Sequence, residues 1–462
     1  MSFLRAPPPL PTLLAVGLLL RLLLAYMILP GSGELGDIRW YSQWALAIAS
    51  DGPGSLYTAT DANYPPGYMY ILWAVGAASK AMASAAKMNA VEISFSLVKI
   101  PPILLDVATA LLLHRIARQW SMQDSSRERL ALVAAAIYLF NPVVIYDSTI
   151  WGQTDAAGTF IILLGVLALC KGPSELAASI AVVSFLIKPQ YGVILIPIVT
   201  VILLRRHVAP VGWVNALRSR SHWLSRTGPL RIATSATTVL VVFYALILPF
   251  NLTARSFLER MVKTAQEYNL LSVNAFNPWA FVGAGGHPPL LLAGIGHCAP
   301  DDVPLVGPLT GVNIGAILLA CGFLLGVIRL LSRSDLKSIF LVGAYLSVCF
   351  FILPTRVHER YVFPAFAFVS VLAAMDRKWL GATIALSSGS FINLHAVLSY
   401  IGSDNLVMLP FGQDFRLPIT EGLSVVLQTA VLLFSAWTLR EGSQRLHPGI
   451  YRNSPVQCDS GK

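Results

Sequence analysis

Charge is scarce in this chain of 462 residues: 12% are Asp, Glu, Lys or Arg, about half the share of a soluble domain. Hydrophobic residues make up 55%, and the mean hydropathy is +0.66. A soluble fold has no interior large enough to hide so much apolar side chain, which excludes a soluble protein. Cysteine is nearly missing as well. Cys170, Cys321 and Cys349 fall in apolar runs and Cys458 in the polar tail, so Cys298 is alone in its loop and no disulfide within the chain is expected there. The five have no metal-ligand spacing. No glycine-rich phosphate loop follows a strand pattern, which argues against a nucleotide-driven pump, and no repeat of fixed period occurs.

Apolar sequence is what the chain has in abundance. Runs at 12–30, 94–113, 129–147, 156–170, 176–188, 190–204, 231–250, 309–331, 338–354, 361–375, 380–400 and 419–439 read as about twelve transmembrane helices. The expected fold class is therefore all-α and polytopic, one membrane domain over residues 1–462. The first run exceeds a signal-peptide core, holds Arg21 and lacks a small-residue cleavage site, so it is expected to be retained. Twelve spans put both termini on one side. Segments assigned to that side hold 21 basic and 7 acidic residues, and the opposite side holds 11 basic and 15 acidic. The positive-inside rule makes the basic side cytoplasmic, and the formal net charge of +10 needs no nucleic-acid partner. The organisation expected is a first extracytoplasmic loop (31–93), the remaining spans of a first module (94–204), a basic cytoplasmic loop (205–230), a second extracytoplasmic loop (251–308) and C-terminal spans (309–439).

This orientation requires one apolar run not to cross. Tyr68–Ser84 is marginal in length and interrupted by Lys80, and the run after it ends in His114, Arg115 and Arg118, which belong in the cytoplasm. It is expected to lie against the outer interface. Ahead of it, Ile38, Tyr41, Trp44, Ala45 and Ile48 recur at helical spacing within Asp37–Ala49, the pattern of an interfacial amphipathic helix. The stiff turn Tyr64-Pro65-Pro66 follows, with its aromatics at headgroup depth.

Four polar clusters stand at outer ends of apolar runs. Asp37, shortly after the first span, reads either as an N-cap of the interfacial helix or as a general base at the membrane surface. Trp151-Gly152-Gln153-Thr154-Asp155 forms a tight turn in which Asp155 could cap and Trp151 could sit in the aromatic belt. The same trio of Trp, Gln and Asp is also what sugar sites use, a ring face beside planar hydrogen-bonding groups. Lys188 in Lys188-Pro189-Gln190 lies between two short apolar runs, either snorkelling to headgroups or facing a cavity. The densest cluster is Thr355-Arg356-Val357-His358-Glu359-Arg360-Tyr361, between Pro354 and Pro364. It is either a salt-bridged turn, with Glu359 paired to Arg356 or Arg360, or a site for an anionic lipid headgroup, because Arg grips phosphate with two parallel hydrogen bonds.

Gly36-Asp37, Tyr64-Pro65-Pro66, Trp151-Gly152-Gln153-Thr154-Asp155, Lys188-Pro189-Gln190 and His358-Glu359-Arg360-Tyr361, in that order over roughly residues 10–375, resemble the GT-C glycosyltransferase superfamily. Within it the pattern is most similar to bacterial relatives of the GPI-anchor mannosyltransferase that adds the second mannose. The resemblance implies an inverting membrane transferase that uses a polyprenyl- or dolichyl-phosphate sugar, with Asp37 as base and His358–Tyr361 near the donor. The first loop carries a single Asp beside Arg39 and no Asp-X-Asp pair, so no divalent metal or other cofactor is expected.

The chemistry of single displacement agrees with that implication, because it needs one base for the acceptor and cations for the departing phosphate. Asp37 is the expected base and Arg360, Lys188 and His358 the phosphate ligands, while Asp155, Gln153, Trp151, Glu359 and Tyr64 are expected to contact sugar or acceptor. The expected partners are a polyprenyl-phosphate sugar, a glycolipid or glycan acceptor and the bilayer, in a bacterial plasma membrane or, alternatively, the endoplasmic reticulum. Buried Arg21 and Asp106 and the half-length runs around Lys188 also fit a lipid transporter or flippase. The absence of duplicated halves argues against that reading.

Overall fold

The computed structural model describes residues 9–119, 124–208, 228–401 and 418–441. Helices α1 (Leu10–Leu23, extended by a π-helical turn Leu24–Ile28), α2 (Leu35–Asp51), α3 (Pro66–Ala86), α4 (Ala90–Leu97), α5 (Ile100–Ala117), α6 (Asp124–Leu139) and α7 (Pro142–Ile145, extended by a π-helical turn Tyr146–Trp151) make up the first third. There follow α8 (Asp155–Lys171), α9 (Ser174–Ile187), α10 (Pro189–His207), α11 (Leu230–Ile247) and α12 (Ala254–Ala265). The chain closes with α13 (Gly311–Ser332), α14 (Leu336–Ile352), α15 (Ala365–Met375), α16 (Arg377–Ile401) and α17 (Pro418–Glu441). The strands named among the described residues are β1 (Pro304–Val306) and β2 (Leu309–Thr310), an antiparallel ribbon. The protein is an all-α, multi-pass membrane protein.

Each of the twelve apolar runs is helical, but they are not equal. Among the described residues, seven helices are long and apolar enough to cross a membrane, or eight if the pair 127–139 and 142–151, bent by 49°, is one span. The other four are α8 (17 residues), α9 (14), α14 (17) and α15 (11), short of the ~20 residues that a full crossing takes. Burial explains the difference. All but the last two residues of α15 and all but two of α14 are buried inside the protein, so these helices answer to their neighbours rather than to the thickness of a bilayer. α1 and α11, in contrast, expose apolar side chains such as Leu19, Leu240 and Val241, as helices facing lipid do.

The two charges expected inside spans neutralise each other. Arg21 Nε stands 3.2 Å from Asp106 Oδ2, both fully buried, and Asp106 also accepts from Ser148 Oγ (2.6 Å) and the Tyr138 hydroxyl (3.0 Å). This network ties α1 and α5 to the turn after α7.

The helix expected to be interfacial is α2, whose buried face is Ile38, Tyr41, Ser42, Trp44, Ala45 and Ile48. It packs on α3, which is not among the helices apolar enough to cross. Close approach is possible because position 76 is glycine: a Cβ there would sit 1.9 Å from the Ala45 carbonyl oxygen. α12 begins a few residues after α11, capped by Thr253 and Ser256 reciprocally. Its Arg260 stacks on Tyr57 (4.3 Å) and donates to the Ala62 and Tyr57 carbonyls, while Leu258 and Val262 face outward. The segment after α12 is anchored from below by buried amides. Asn393 of α16 accepts from Phe276 N and donates to the Asn274 carbonyl (both 2.8 Å), and Gln428 of α17 donates to the Phe276 carbonyl. Most of the basic loop expected at 205–230 and all of the tail after 441 lie outside the described residues.

Candidate active site

The four polar clusters converge at one end of the helix bundle. The convergence begins with Lys99, whose buried ammonium contacts the carbonyls of Ser32 (2.5 Å), Thr149 (3.1 Å) and Ile150 (3.1 Å). Its acceptors on the π-helical turn are main-chain oxygens with no helical partner to spare, the natural targets of a cation. Lys99 thereby fastens the start of the first loop to the turn that carries Trp151. Contact is closest at Gly33, where a Cβ would meet the Trp151 carbonyl at 2.6 Å and φ is +129°.

α2 is capped by Glu34, not by Asp37. The Glu34 carboxylate accepts from the backbone N–H of Gly36 (3.0 Å) and of Asp37, which removes the capping role and leaves the Asp37 side chain at liberty. Asp37 Oδ2 then accepts from Trp151 Nε1 (3.3 Å) and from Gln153 Nε2. Gln153 is held in turn by the Tyr41 hydroxyl on its Oε1 (3.0 Å), and Tyr41 meets the Tyr64 hydroxyl at 2.9 Å. Among the described residues Asp37 Oδ1 has no hydrogen-bond donor, and Asp37 lines a cavity of about 400 Å³.

Lys188 and Arg360 enter the same cavity from deeper elements. Lys188, between α9 and α10, reaches Asp155 Oδ1 (3.4 Å) and lies 4.8 Å from the Tyr64 ring centre. Asp155 also accepts from Tyr191, which fits because Gly158 leaves room for its ring. Arg360 donates to Glu359 Oε1 (2.5 Å), places Nε 3.9 Å from Asp155 Oδ2, and covers the Trp151 ring at 5.8 Å. Of the two salt-bridged turns conceivable for Glu359, the one with Arg360 forms. Arg356, in the left-handed region at φ +63°, is instead locked by Asp301 through two hydrogen bonds (2.8 and 3.0 Å). Backbone pairing of Val273 N with the Val357 carbonyl (2.9 Å) fixes the turn from the other side.

Burial and the neighbouring cations Arg360 and Lys188 hold His358 well below its ordinary value of 6.5, so it is a neutral imidazole, edge-to-face with Tyr268 (4.9 Å) and tilted against Tyr361 (5.2 Å). Burial raises the Glu359 carboxyl, against the pull of Arg360. Among the described residues, no group of three or more His, Cys, Asp or Glu could hold a metal ion.

Asp37, Tyr64, Lys188, His358 and Arg360 line the cavity. Trp151, Gln153, Asp155 and Glu359, expected to touch sugar or acceptor, do not. Each is at most 2% exposed and stands behind the wall, where its polar atoms are spent on Asp37, Lys188 and Arg360. Trp40, Tyr41, Trp44, Asn63, Glu267, Tyr268 and Arg356 also line the cavity. Trp40, Tyr41 and Trp44 follow Asp37 at helical spacing, so a helical projection finds them. Glu267 and the Asp301 lock come from a long loop with no periodicity to mark them.

The family model of the GPI transamidase subunit PIG-U matches residues 45–284, just over half of the chain. The chain belongs to the PIG-U family. No curated protein matches it. Among solved structures, PIG-U family membership is accompanied by similarity to the archaeal oligosaccharyltransferase AglB from Archaeoglobus fulgidus in complex with an inhibitory peptide and a dolichol-phosphate. That structure is 12% identical, with a TM-score of 0.41 over 96% of this chain and 56% of that one. The same organism's oligosaccharyltransferase tethered to an acceptor peptide is 14% identical, with a TM-score of 0.40 over 92% and 55%. The chain spans a little over half the length of these structures. The matching family model is that of a transamidase subunit, not of a mannosyltransferase.

Proposed function

We propose that this PIG-U family protein handles a glycan carried on a lipid phosphate at the extracytoplasmic face, and that it transfers the sugar by single displacement. The observation that carries the reading is the state of Asp37: relieved of capping by Glu34, tethered through Oδ2 by Trp151 and Gln153, and presenting Oδ1 to a cavity it shares with Lys188 and Arg360. In the reaction, Asp37 Oδ1 takes the proton of an acceptor hydroxyl as that oxygen bonds to the anomeric carbon. The bond from that carbon to the phosphate oxygen breaks with inversion, and the phosphate leaves with the electron pair. Lys188 has N–H groups beyond the one directed at Asp155, and Arg360 has donors beyond the one given to Glu359, which suits them to the departing charge. Trp151, Gln153, Asp155 and Glu359 act as positioning residues.

The family description favours a second reading, in which the same cavity holds a lipid-linked glycan for a partner enzyme without turning it over. One experiment separates the two. Purified protein in nanodiscs is given radiolabelled polyprenyl-phosphate mannose and candidate glycolipid acceptors. Product formation supports transfer, saturable donor binding without product supports presentation, and absence of both overturns the lipid-glycan reading.

A further inference from the structure

A chain of hydrogen bonds runs from Asp37 along the cavity wall to Tyr64, and its first member fixes its direction. Asp37 Oδ2 is a carboxylate oxygen and only accepts, so the Gln153 amide turns its Nε2 toward it, beside Trp151 Nε1 (3.3 Å). Gln153 Oε1 is then the end that faces Tyr41, whose hydroxyl donates to it at 3.0 Å. A hydroxyl has one proton to give. Tyr41 has none left for the Tyr64 hydroxyl 2.9 Å away, so the proton between the two tyrosines belongs to Tyr64. Burial above all, then Tyr64 and Asp37, raises the Tyr41 hydroxyl well above its ordinary value of 10.0, which keeps this link protonated at neutral pH.

Tyr64 is half-buried and lines the cavity with its proton already directed into the wall. To a ligand it offers a lone pair alone. Its ring packs on Trp44 (5.5 Å) and carries the Lys188 ammonium 4.8 Å from its centre, which fixes where that lone pair stands. A group that meets it must donate. A free hydroxyl pairs with it, whereas an ether oxygen, a ketone or a fluorine sets lone pair against lone pair, and a bare methylene leaves the oxygen unmatched.

We infer that Tyr64 is a specificity-determining residue that accepts a hydrogen bond from one free hydroxyl of the sugar carried on the lipid phosphate, and that Tyr41 is the positioning residue that makes it an acceptor only. The inference rests on the lipid-glycan reading of the cavity and narrows its substrate to sugars in which this hydroxyl is neither removed, etherified nor oxidised. In that reading Lys188 takes the phosphate and Asp37 the acceptor hydroxyl. Tyr64 is joined to the first by its ring and to the second by the chain, so it stands beside the sugar that passes between them. The polarity outlasts the reaction, because the proton goes to Asp37 Oδ1 while Oδ2 continues to accept.

Binding alone tests this. Farnesyl-phosphate mannose and analogues with each free hydroxyl replaced in turn by hydrogen or by fluorine, which accepts weakly and donates nothing, displace radiolabelled farnesyl phosphate from the protein in nanodiscs. At one hydroxyl both replacements are expected to weaken binding alike, by about ten-fold, the scale of a lost hydrogen bond. In Tyr64→Phe the parent compound should weaken by that factor and its two analogues should not. Tyr41→Phe returns the Tyr64 proton to the cavity, so the fluoro analogue should now bind more tightly than the deoxy one and come within about three-fold of the parent. A merely structural role for Tyr41 would weaken all three compounds together and leave their ratios unchanged. If Tyr64→Phe fails to fold, the series in the unmodified protein and in Tyr41→Phe still decides. No hydroxyl at which both replacements cost alike, a loss that persists in a folded Tyr64→Phe, or unchanged ratios in Tyr41→Phe would overturn the inference and leave the lipid-glycan reading standing, provided the mannose compound displaces the label. If the labelled farnesyl phosphate does not bind, or the mannose compound does not displace it, that reading falls as well.

Discussion

Replacing Asp37 with Asn changes little except the chemistry. The asparagine oxygen takes the place of Oδ2, so Trp151 Nε1 and Gln153 Nε2 keep an acceptor, and the amide nitrogen turns toward the cavity where a base is needed. Charge-assisted hydrogen bonds are worth about 1.5–3 kcal/mol and neutral ones about 0.5–1.5 kcal/mol, so the two bonds together lose about 2–3 kcal/mol. Partial solvent exposure of Asp37 lowers that figure. No helix cap is lost, because Glu34 provides it. The variant should therefore melt within a few degrees of the unmodified protein and still bind polyprenyl-phosphate mannose, while transfer falls by about two to four orders of magnitude, the scale of general-base catalysis. Initial rates at saturating acceptor, set beside melting curves of the same preparations, make the comparison. A folded Asp37→Asn protein that transfers within about three-fold of the unmodified rate would refute the role of Asp37 as base.

Three further outcomes follow from the packing and the charges. Gly76→Ala drives a methyl group into the Ala45 carbonyl and must push α3 off α2, so unfolding in denaturant should show a loss of about 1–3 kcal/mol, with transfer reduced because α2 carries Asp37. Arg21→Met strands Asp106 in the bundle at a cost of about 3–5 kcal/mol, whereas Arg21→Met with Asp106→Leu should recover most of it; a double variant as unstable as the single one would remove the ion pair from the account. His358, held well below 6.5, contributes stability in full above that pH and loses it as pH falls below, by at most about 1.4 kcal/mol per pH unit. Melting midpoints between pH 7 and 5 should therefore fall faster in the unmodified protein than in His358→Gln, and parallel curves would show that His358 does not bear this charge penalty.

Membrane class, helical content and the positions of all twelve apolar runs are local properties, and the sequence by itself determined them. A stretch of apolar residues is helical in lipid wherever it stands, since its backbone has no other way to satisfy its hydrogen bonds. The same holds for the apolar spacing of α2 and for the polar residues stranded at helix ends. What surrounds those runs was decided by tertiary structure, which buries α14 and α15 almost entirely among their neighbours while α1 and α11 keep apolar faces exposed. Tertiary structure also decided the jobs within the site. Asp37 was the cap to expect by residue type, and only the fold gave the cap to Glu34 and left an oxygen of Asp37 unspent. By residue type Asp155 could cap a helix or touch a ligand and Glu359 could pair or touch a ligand, and the fold sets both behind the cavity wall, against Lys188 33 residues along the chain and against neighbouring Arg360. The charge of a cavity is a sum over side chains that meet only in three dimensions. Asp301 cancels Arg356 across 55 residues of chain, and no pattern along the sequence could have announced that pairing.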